Sequence, residues 1–172
     1  MKASVFVGTS VDGFIARTDG ALDFLDAGGE EPHGFEEFFA TVDALVMGRK
    51  TYEIVLAFGG WYYGDKLVVV LSSKELAAPP AGARVERMAG SPSEIVALLA
   101  ARGFEHIYVD GGLTIQQFLR AGLIQHLIIT HVPVLIGSGI PLFGGLDQDV
   151  PLTHVATRQY ATGLVQSEYV IA

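Results

Sequence analysis

The sequence contains no cysteine, which excludes disulfide bonds and cysteine-based catalysis. Charged residues are also scarce, at 17% of the 172 residues. With 11 lysines and arginines against 19 aspartates and glutamates, the formal net charge is −8. This balance argues against broad contact with nucleic acid or with an anionic membrane surface. We therefore expect any bound phosphate to be held by a few local groups.

Long apolar runs are absent as well. The first apolar segment is interrupted at Gly8 and again at Asp12-Gly13, before the core of a signal peptide could form, and no later run approaches the length of a membrane span. We expect a cytoplasmic protein with no membrane segment. No repeat, low-complexity tract or block of charge divides the chain, and this predicts a single domain over residues 1–172.

Continuous apolar runs rich in β-branched residues predict strands that are buried on both faces of a sheet, as in parallel sheets. These runs are Ala3–Val7, Ala44–Met47, Leu67–Leu71, Ile107–Val109 and Leu127–Val134. Helical patterns occur at Phe35–Thr41, Thr51–Phe58, Pro92–Arg102 and Thr114–Ala121. The alternation predicts an α/β fold. Two further segments, Leu152–Tyr160 and Val165–Ile171, flank a glycine turn and predict a C-terminal antiparallel hairpin.

Three predicted strands end in short loops whose residue types suit a phosphate: Gly48-Arg49-Lys50-Thr51, Ser72-Ser73 and Gly111-Gly112-Leu113-Thr114. In open α/β sheets, ligands bind beyond the carboxyl ends of the strands, where helix N-termini offer N–H donors and a favourable dipole. Glycine allows close backbone approach, serine and threonine add hydroxyl donors, and Arg49 adds a planar charged group. Each loop alone is equally typical of an ordinary turn, but the three together indicate a dinucleotide site.

Several other functional motifs are missing from the sequence. The segment Gly137–Leu142 lacks the third glycine of a Rossmann fingerprint and has Pro141 where a helix should begin, so we interpret it as a loop. The sequence has neither a Gly-x-Ser-x-Gly nucleophile elbow nor a Walker phosphate loop. The absence of these motifs disfavours a serine hydrolase and a Walker-type nucleotidase. The five histidines have no metal-ligand spacing, so no metal site is predicted.

Four segments spread over almost the whole chain carry a family resemblance: Ser10–Ala16, Asp43–Glu53, Tyr108–Gly112 and Pro133–Phe143. In order and spacing they resemble the dihydrofolate reductase-like fold, and within it the reductase domain of riboflavin biosynthesis and its stand-alone bacterial relatives. The resemblance implies a three-layer α/β/α fold with a mostly parallel central sheet and the C-terminal hairpin. It also implies NADPH as the hydride donor and a homodimer, with which the apolar tail Tyr169-Val170-Ile171 is compatible.

The resemblance further implies which residues would contact NADPH. Val11, Asp12 and Ala16 would lie near the nicotinamide. The phosphates would be held by three groups: Gly48, Arg49 and Thr51 at one helix start, Ser72 and Ser73 at the 2′-phosphate, and Gly111, Gly112, Leu113 and Thr114 around the pyrophosphate.

Two positions differ from the related reductases. The true folate reductases carry a pterin-binding carboxylate near the start of the first long helix, and this chain has Phe35 near that position, which disfavours folate reduction. Glu36 and Glu37 are adjacent on the predicted helix, and a solvent-facing role near its N-terminus is favoured for both. Asp110 stands where the riboflavin reductases commonly carry glutamate.

We predict NADPH-dependent hydride transfer to a C=N or C=O group of a small pteridine-, pyrimidine- or riboflavin-precursor-like substrate. Asp12 is the candidate catalytic acid, and an Asx turn with Gly13 is an equally weighted alternative. The predicted substrate pocket consists of Phe14, Phe35, Phe39 and Trp61. Two other functions stay open: a dinucleotide-binding module without turnover, and a true dihydrofolate reductase.

Overall fold

The computed structural model describes residues 1–29 and 31–172. The strands are β1 (Lys2–Ser10), β2 (Phe14–Ala16), β3 (Ala44–Gly48), β4 (Leu67–Leu71), β5 (Val85–Met88), β6 (His106–Asp110), β7 (His126–Val132), β8 (Ile140–Pro141), β9 (Leu152–Gln159) and β10 (Val165–Ile171). The α-helices are α1 (Phe35–Ala40), α2 (Arg49–Ala57), α3 (Pro92–Ala101) and α4 (Gly112–Arg120), and a 3-10 helix, Asp23–Gly28, precedes α1.

Eight of the strands form one sheet in the order β5-β4-β3-β6-β1-β7-β10-β9. The strands from β5 to β7 in this order pair in parallel. β10 pairs antiparallel with β7 and with β9, so the C-terminal hairpin extends one side of the sheet. β2 and β8 form a separate antiparallel ribbon. Because the parallel strands share one direction, their carboxyl ends meet at one edge, which we call the carboxyl edge.

Helices cover both faces of the sheet, because the central strands are apolar on both sides. On one face, Val5 and Val7 of β1 pack with Ile95 of α3 and Phe118 of α4. On the opposite face, Phe6 packs with side chains of the other two helices, Phe38 of α1 and Tyr52 and Val55 of α2. The three-layer α/β/α arrangement with a mostly parallel sheet and a C-terminal antiparallel hairpin confirms the predicted fold class. None of the described helices is long and apolar enough to cross a membrane.

Element boundaries differ from the predicted ones by a few residues at most. β1 continues through Ser10 instead of ending at Val7, because pairing with β7 extends that far. β7 ends at Val132, since the following Pro133 has no N–H for the sheet. Ser91 begins α3 with a capping box, in which its hydroxyl accepts from the Glu94 N–H (3.4 Å) and the Glu94 carboxylate accepts from the Ser91 N–H (2.7 Å).

Three strands were not predicted. β5 (Val85–Met88) has Glu86 and Arg87 at its centre and lies at an edge of the sheet, so it lacks the continuous apolar run that marks the central strands. β8 lies inside the segment 137–142, for which the sequence predicts a loop, and its partner β2 has three residues. Both are too short for a period-2 pattern to be recognised.

Candidate functional site

Two α-helices begin side by side at the carboxyl edge. Their preceding strands, β3 and β6, are neighbours in the sheet, and the helices, α2 and α4, leave toward opposite faces. The N-cap residues are Gly48 and Gly111, and neither supplies a side-chain cap. The first N–H groups of both helices are therefore free of a side-chain acceptor from the N-cap, and the helix dipoles favour an anion there.

The same two loops are interlocked by glycines and threonines. A Cβ atom at Gly48 would lie 3.2 Å from the Thr114 hydroxyl, and a Cβ atom at Gly111 would collide with the Thr51 hydroxyl. Gly111 also has a φ of +90°, which a side chain rarely allows. The structure thus brings together, at one edge, the glycines and hydroxyls that the sequence placed in two separate phosphate loops.

Arg49 is the first residue of α2, and its guanidinium forms an ion pair with Glu53 one turn further along the helix. The two side chains are 34% and 45% exposed. Ion pairs of this exposure contribute about 0–1 kcal/mol, so Arg49 can be redirected to a phosphate at little cost. A phosphate offers it bidentate, charge-assisted hydrogen bonds.

The predicted 2′-phosphate loop follows β4. The Ser72 hydroxyl accepts from the Lys74 N–H (3.0 Å) and donates to the Lys74 carbonyl (2.9 Å), so it stabilises the turn itself. Ser73 is exposed, and its carbonyl accepts a hydrogen bond from Arg87 of β5 (3.3 Å). Arg87 adds a cation next to this loop that sequence reasoning missed, because β5 itself was not predicted.

The loop after β1 is tied to the segment between β7 and β8. The Asp12 carboxylate accepts from the N–H groups of Ile136 (3.2 Å) and Gly137 (2.7 Å). The Ser10 hydroxyl contributes most to lowering the pKa of Asp12 below its ordinary value, and the bonds from Gly137 and Ile136 add to this effect. Asp12 is exposed, so the hydrogen bonds and not burial determine its ionisation.

The β2–β8 ribbon lies against the start of α4. A Cβ atom at Gly112 would lie 3.1 Å from the Pro141 carbonyl and 3.3 Å from the Ile15 side chain. Ala16 pairs with Ile140 and is buried, whereas Val11 is 57% exposed. The ribbon therefore places Ala16 close to the beginning of α4.

Asp110 ends β6 and is half-buried at the carboxyl edge. One carboxylate oxygen accepts from the Gly111 N–H (2.8 Å), and burial raises the pKa of Asp110 to about 6. Burial raises the pKa values of Tyr63 and Tyr108, and the negative charge of Asp110 adds to this rise. The three side chains therefore lie near one another. Sequence reasoning noted Asp110 as a departure from relatives but did not assign it to the site. The sequence feature that could have identified Asp110 as a site residue is a single acidic residue at the end of a buried apolar strand.

An aromatic cluster lies on the α1 and α2 face of the sheet. Phe35 stacks on Phe39 with 5.6 Å between ring centroids, Phe39 lies 6.1 Å from Tyr63, and Trp61 lies 5.2 Å from Tyr63. Phe35 also contacts Tyr108 edge-on at 6.2 Å, which links the cluster to β6. Three of the four predicted pocket residues are thereby brought together.

Phe14, the fourth predicted pocket residue, lies elsewhere. It belongs to β2 and pairs with Pro141 of β8. Among the described residues, its ring contacts no member of the aromatic cluster. The described part of the chain also brings no three histidine, aspartate or glutamate side chains into a metal-binding arrangement.

The site therefore has three parts: the paired helix starts with their hydroxyls and Arg49, the half-buried Asp110 carboxyl at the same carboxyl edge, and the aromatic cluster on the adjoining α1 and α2 face of the sheet. Uncapped N–H groups, hydroxyls and an arginine form the donor set that a dinucleotide phosphate requires. A carboxyl group with a pKa near neutrality can hold or release a proton. Aromatic side chains provide a surface for a planar ring.

Comparison with known proteins identifies relatives along the full length. A family model described as the RibD C-terminal domain matches residues 2–166. The uncharacterized protein YwjB of Bacillus subtilis is 33% identical over 178 residues, covering 99% of this chain and 98% of YwjB. The dihydrofolate reductase HdrB of Haloferax volcanii is 29% identical over 131 residues, covering 74% of this chain and 64% of HdrB.

Solved structures share the fold. A Shewanella sp. PV-4 protein assigned by name to riboflavin biosynthesis has 38% identity and a TM-score of 0.92, and the match covers 100% of this chain and 99% of that one. Enterococcus faecalis dihydrofolate reductase complexed with NADP(H) has 18% identity and a TM-score of 0.66, with 99% and 96% of the two chains covered. At that identity the likeness concerns the fold alone, and it confirms the dihydrofolate reductase-like architecture.

A third structure is longer than this chain. The Thermotoga maritima diaminohydroxyphosphoribosylaminopyrimidine deaminase/5-amino-6-(5-phosphoribosylamino)uracil reductase has 17% identity and a TM-score of 0.76. The match covers 99% of this chain and 56% of that protein, so the chain spans just over half of it.

Proposed function

The chain belongs to the RibD C-terminal domain family, and from this membership we propose that it is an NADPH-dependent reductase of a small pyrimidine-, pteridine- or riboflavin-precursor-like substrate. One observation carries the proposal: two uncapped helix starts meet at the carboxyl edge beside a half-buried carboxyl group whose pKa is raised to about 6. Anion binding and proton donation are thus available side by side, as hydride transfer to a C=N or C=O group requires.

The residues at the helix starts fit the cofactor. The N–H groups following Gly48 and Gly111, with the Thr51 and Thr114 hydroxyls, would hold phosphate oxygens, and Arg49 would leave Glu53 to neutralise them. Ser72, Ser73, Gly112 and Leu113 remain proposed contacts, as do Val11 and Ala16 on the nicotinamide side. When bound, NADPH supplies the hydride.

Asp110 is the proposed proton donor. Hydride addition to the carbon of a C=N or C=O group leaves an electron pair on nitrogen or oxygen, which must take up a proton. With its pKa raised to about 6 by burial, Asp110 is half protonated at about pH 6 and about a tenth protonated at pH 7. The Ser10 hydroxyl and two N–H donors keep Asp12 ionised. We therefore assign Asp12 a positioning role, in which it fixes the loop after β1, in place of the catalytic role predicted from sequence.

The aromatic cluster is the proposed binding surface for the planar part of the substrate. Phe35, Phe39 and Trp61 lie on the same face of the sheet as Tyr108, whose strand ends two residues later at Asp110. Phe14 lies apart in the β2–β8 ribbon, so we do not include it in this surface.

Calorimetric titration with NADPH and NADH tests the cofactor site. Arg49→Ala should weaken NADPH binding by about 10- to 100-fold, the loss expected for a charge-assisted hydrogen bond worth 1.5–3 kcal/mol. Arg120→Ala, an exposed arginine at the opposite end of α4, is the control and should leave binding unchanged. Absence of binding of either nucleotide to the wild type would reject the reductase proposal.

Two alternatives are separated by turnover. A dinucleotide-binding module would bind NADPH but oxidise it with no acceptor from a panel of dihydrofolate, pyrimidine and carbonyl compounds. A dihydrofolate reductase would use dihydrofolate, and the similarity to HdrB places this compound in the panel. In α1, Phe35 lies in the aromatic cluster, and the two carboxylates, Glu36 and Glu37, are exposed. Because α1 places no carboxylate among the rings, an acceptor other than dihydrofolate is favoured.

We also propose a homodimer in which a second copy covers the C-terminal hairpin. β9 is an edge strand with seven of eight residues exposed, among them Val155 at 51%. Exposed edges of this length invite pairing. Sedimentation velocity should show a shift toward monomer for Val155→Lys and none for Leu98→Lys, a residue of α3 that is 53% exposed.

The cytoplasmic location stays a prediction.

A further inference from the structure

The turn of the C-terminal hairpin contacts the segment that leads into α1. Leu164 packs so closely on Gly28 that a Cβ atom there would lie 2.7 Å from its side chain. The Thr162 N–H and hydroxyl both donate to the Glu31 carboxylate, at 3.3 Å each. The hairpin turn thus holds a segment that lies 131 residues earlier in the sequence.

Gln166 of β10 makes the most buried of these links and is 2% exposed. Its side-chain nitrogen donates to the His33 carbonyl and to the Thr130 hydroxyl, at 2.9 Å each. Its side-chain oxygen accepts from Arg158 and from the Tyr160 hydroxyl, at 3.4 Å each. One buried amide therefore connects β7, β9 and the backbone just before α1, with both ends of the amide satisfied.

α1 has little stability of its own. It has six residues, and its N-cap, Gly34, has a φ of +85° and provides no side-chain cap. Helices of this length do not form without tertiary contacts. Besides the packing of Phe38 and neighbouring rings on the sheet, α1 is held at its C-cap by a hydrogen bond between His106 and the Thr41 carbonyl (2.9 Å). At its start it depends on the anchoring of the preceding segment by the hairpin.

We infer that Gln166 is a positioning residue for the substrate side of the site: by holding the His33 carbonyl, it fixes the start of α1 and with it Phe35 and Phe39. The inference rests on the proposed function for its meaning in catalysis, because those two rings belong to the proposed substrate surface. A change at Gln166 should affect substrate binding and not NADPH binding. None of the described hydrogen bonds of Gln166 reaches the starts of α2 and α4, where NADPH is proposed to bind.

Gln166→Met and Gln125→Met form a matched pair of variants. Methionine keeps the length of glutamine and removes its hydrogen bonds. The Gln125 side-chain oxygen accepts from the Ala3 N–H (2.8 Å) at the opposite edge of the same sheet, so this control loses a link to β1 and none to α1. Thermal melts would establish that both variants fold.

Hydrogen–deuterium exchange on the free protein is the first measurement. Gln166→Met should accelerate exchange of the hydrogen-bonded α1 amides, residues 38–41, by about tenfold, the effect of losing one net hydrogen bond. Quenching of Trp61 fluorescence by acrylamide should rise as well, because this single tryptophan joins the cluster through Tyr63. Gln125→Met should change neither. Unchanged α1 exchange, or equal acceleration throughout the sheet, would overturn the inference.

The kinetic arm distinguishes this inference from the proposed function. With the acceptor that the wild type reduces, Gln166→Met should raise KM about tenfold while kcat and the NADPH dissociation constant stay within about twofold. A KM equal to that of the wild type would reject the role in substrate placement even if α1 loosens. Failure of the wild type to bind NADPH rejects the proposed function instead, and the exchange result on α1 stands independently.

Discussion

Two aspartates at the carboxyl edge, Asp12 in the loop after β1 and Asp110 at the end of β6, have pKa values shifted in opposite directions. Asp12 is exposed, and the Ser10 hydroxyl together with two backbone N–H bonds lowers its pKa. Asp110 is half-buried and accepts one, from the neighbouring Gly111, and burial outweighs that bond and raises its pKa to about 6. The comparison teaches that residue type alone does not identify an acid at this edge, because desolvation and hydrogen bonding decide which carboxyl group keeps its proton.

The largest effect is expected on turnover. Asp110→Asn should lower kcat by roughly 10²-fold or more, the contribution typical of a general acid, and leave NADPH binding unchanged. Wild-type activity should fall as the pH rises through about 6, where the carboxyl group loses its proton, and the variant should lose this dependence. The pH profiles of kcat/KM for the two proteins check this, because kcat/KM reports ionisations of the free enzyme. An unchanged kcat would remove Asp110 from the mechanism.

The raised pKa of Asp110 should also make the free energy of unfolding depend on pH. Because the pKa of Asp110 rises from 3.8 unfolded to about 6 folded, its stabilising contribution is present at low pH and is lost as the pH rises from about 4 to about 6. The loss is on the order of 2–3 kcal/mol at 1.36 kcal/mol per pKa unit. Urea denaturation across this range should show it for the wild type and not for Asp110→Asn. A parallel pH dependence in both proteins would contradict the raised pKa.

The smallest effect is expected at Asp12. Asp12→Asn should weaken the link to Ile136 and Gly137 and reduce kcat by less than the roughly 10²-fold expected of a proton donor. Because its pKa is lowered in the folded protein, the carboxylate stabilises the loop above its ordinary pKa, and this contribution is lost as the pH falls through the folded value. Thermal melts at neutral and acidic pH measure it. A loss of turnover as large as that of Asp110→Asn would reverse the two assignments.

The sequence predicted the central layers well, because their signals are local. The apolar runs that became β3, β4 and β6 are buried on both faces, and the Ser91 cap marks the start of α3. The glycines and hydroxyls of the phosphate loops follow those strands directly, so the place where the helix starts meet could also be predicted. Their roles in binding stay predictions.

The acid and the substrate side could not be predicted in the same way. The pKa of Asp110 depends on burial created by tertiary packing, next to residues such as Tyr63 that are far away in the sequence. Asp12 has its partners, Ile136 and Gly137, more than 120 residues away, so its hydrogen bonds left no local pattern. Phe14 was placed among the aromatic residues by composition alone, and only the pairing of β2 with β8 shows that it lies apart.

The crossed packing of Gly48 on Thr114 and of Gly111 on Thr51 has an evolutionary consequence. Gly48 has a φ of −79°, which alanine adopts freely, so the Thr114 hydroxyl is what limits the size of residue 48. The effects of substitutions at positions 48 and 114 should therefore be non-additive. Homologues with a larger residue at position 48 should carry a smaller residue at position 114. Gly111 has no such freedom, since its φ of +90° disfavours any side chain whatever residue occupies position 51.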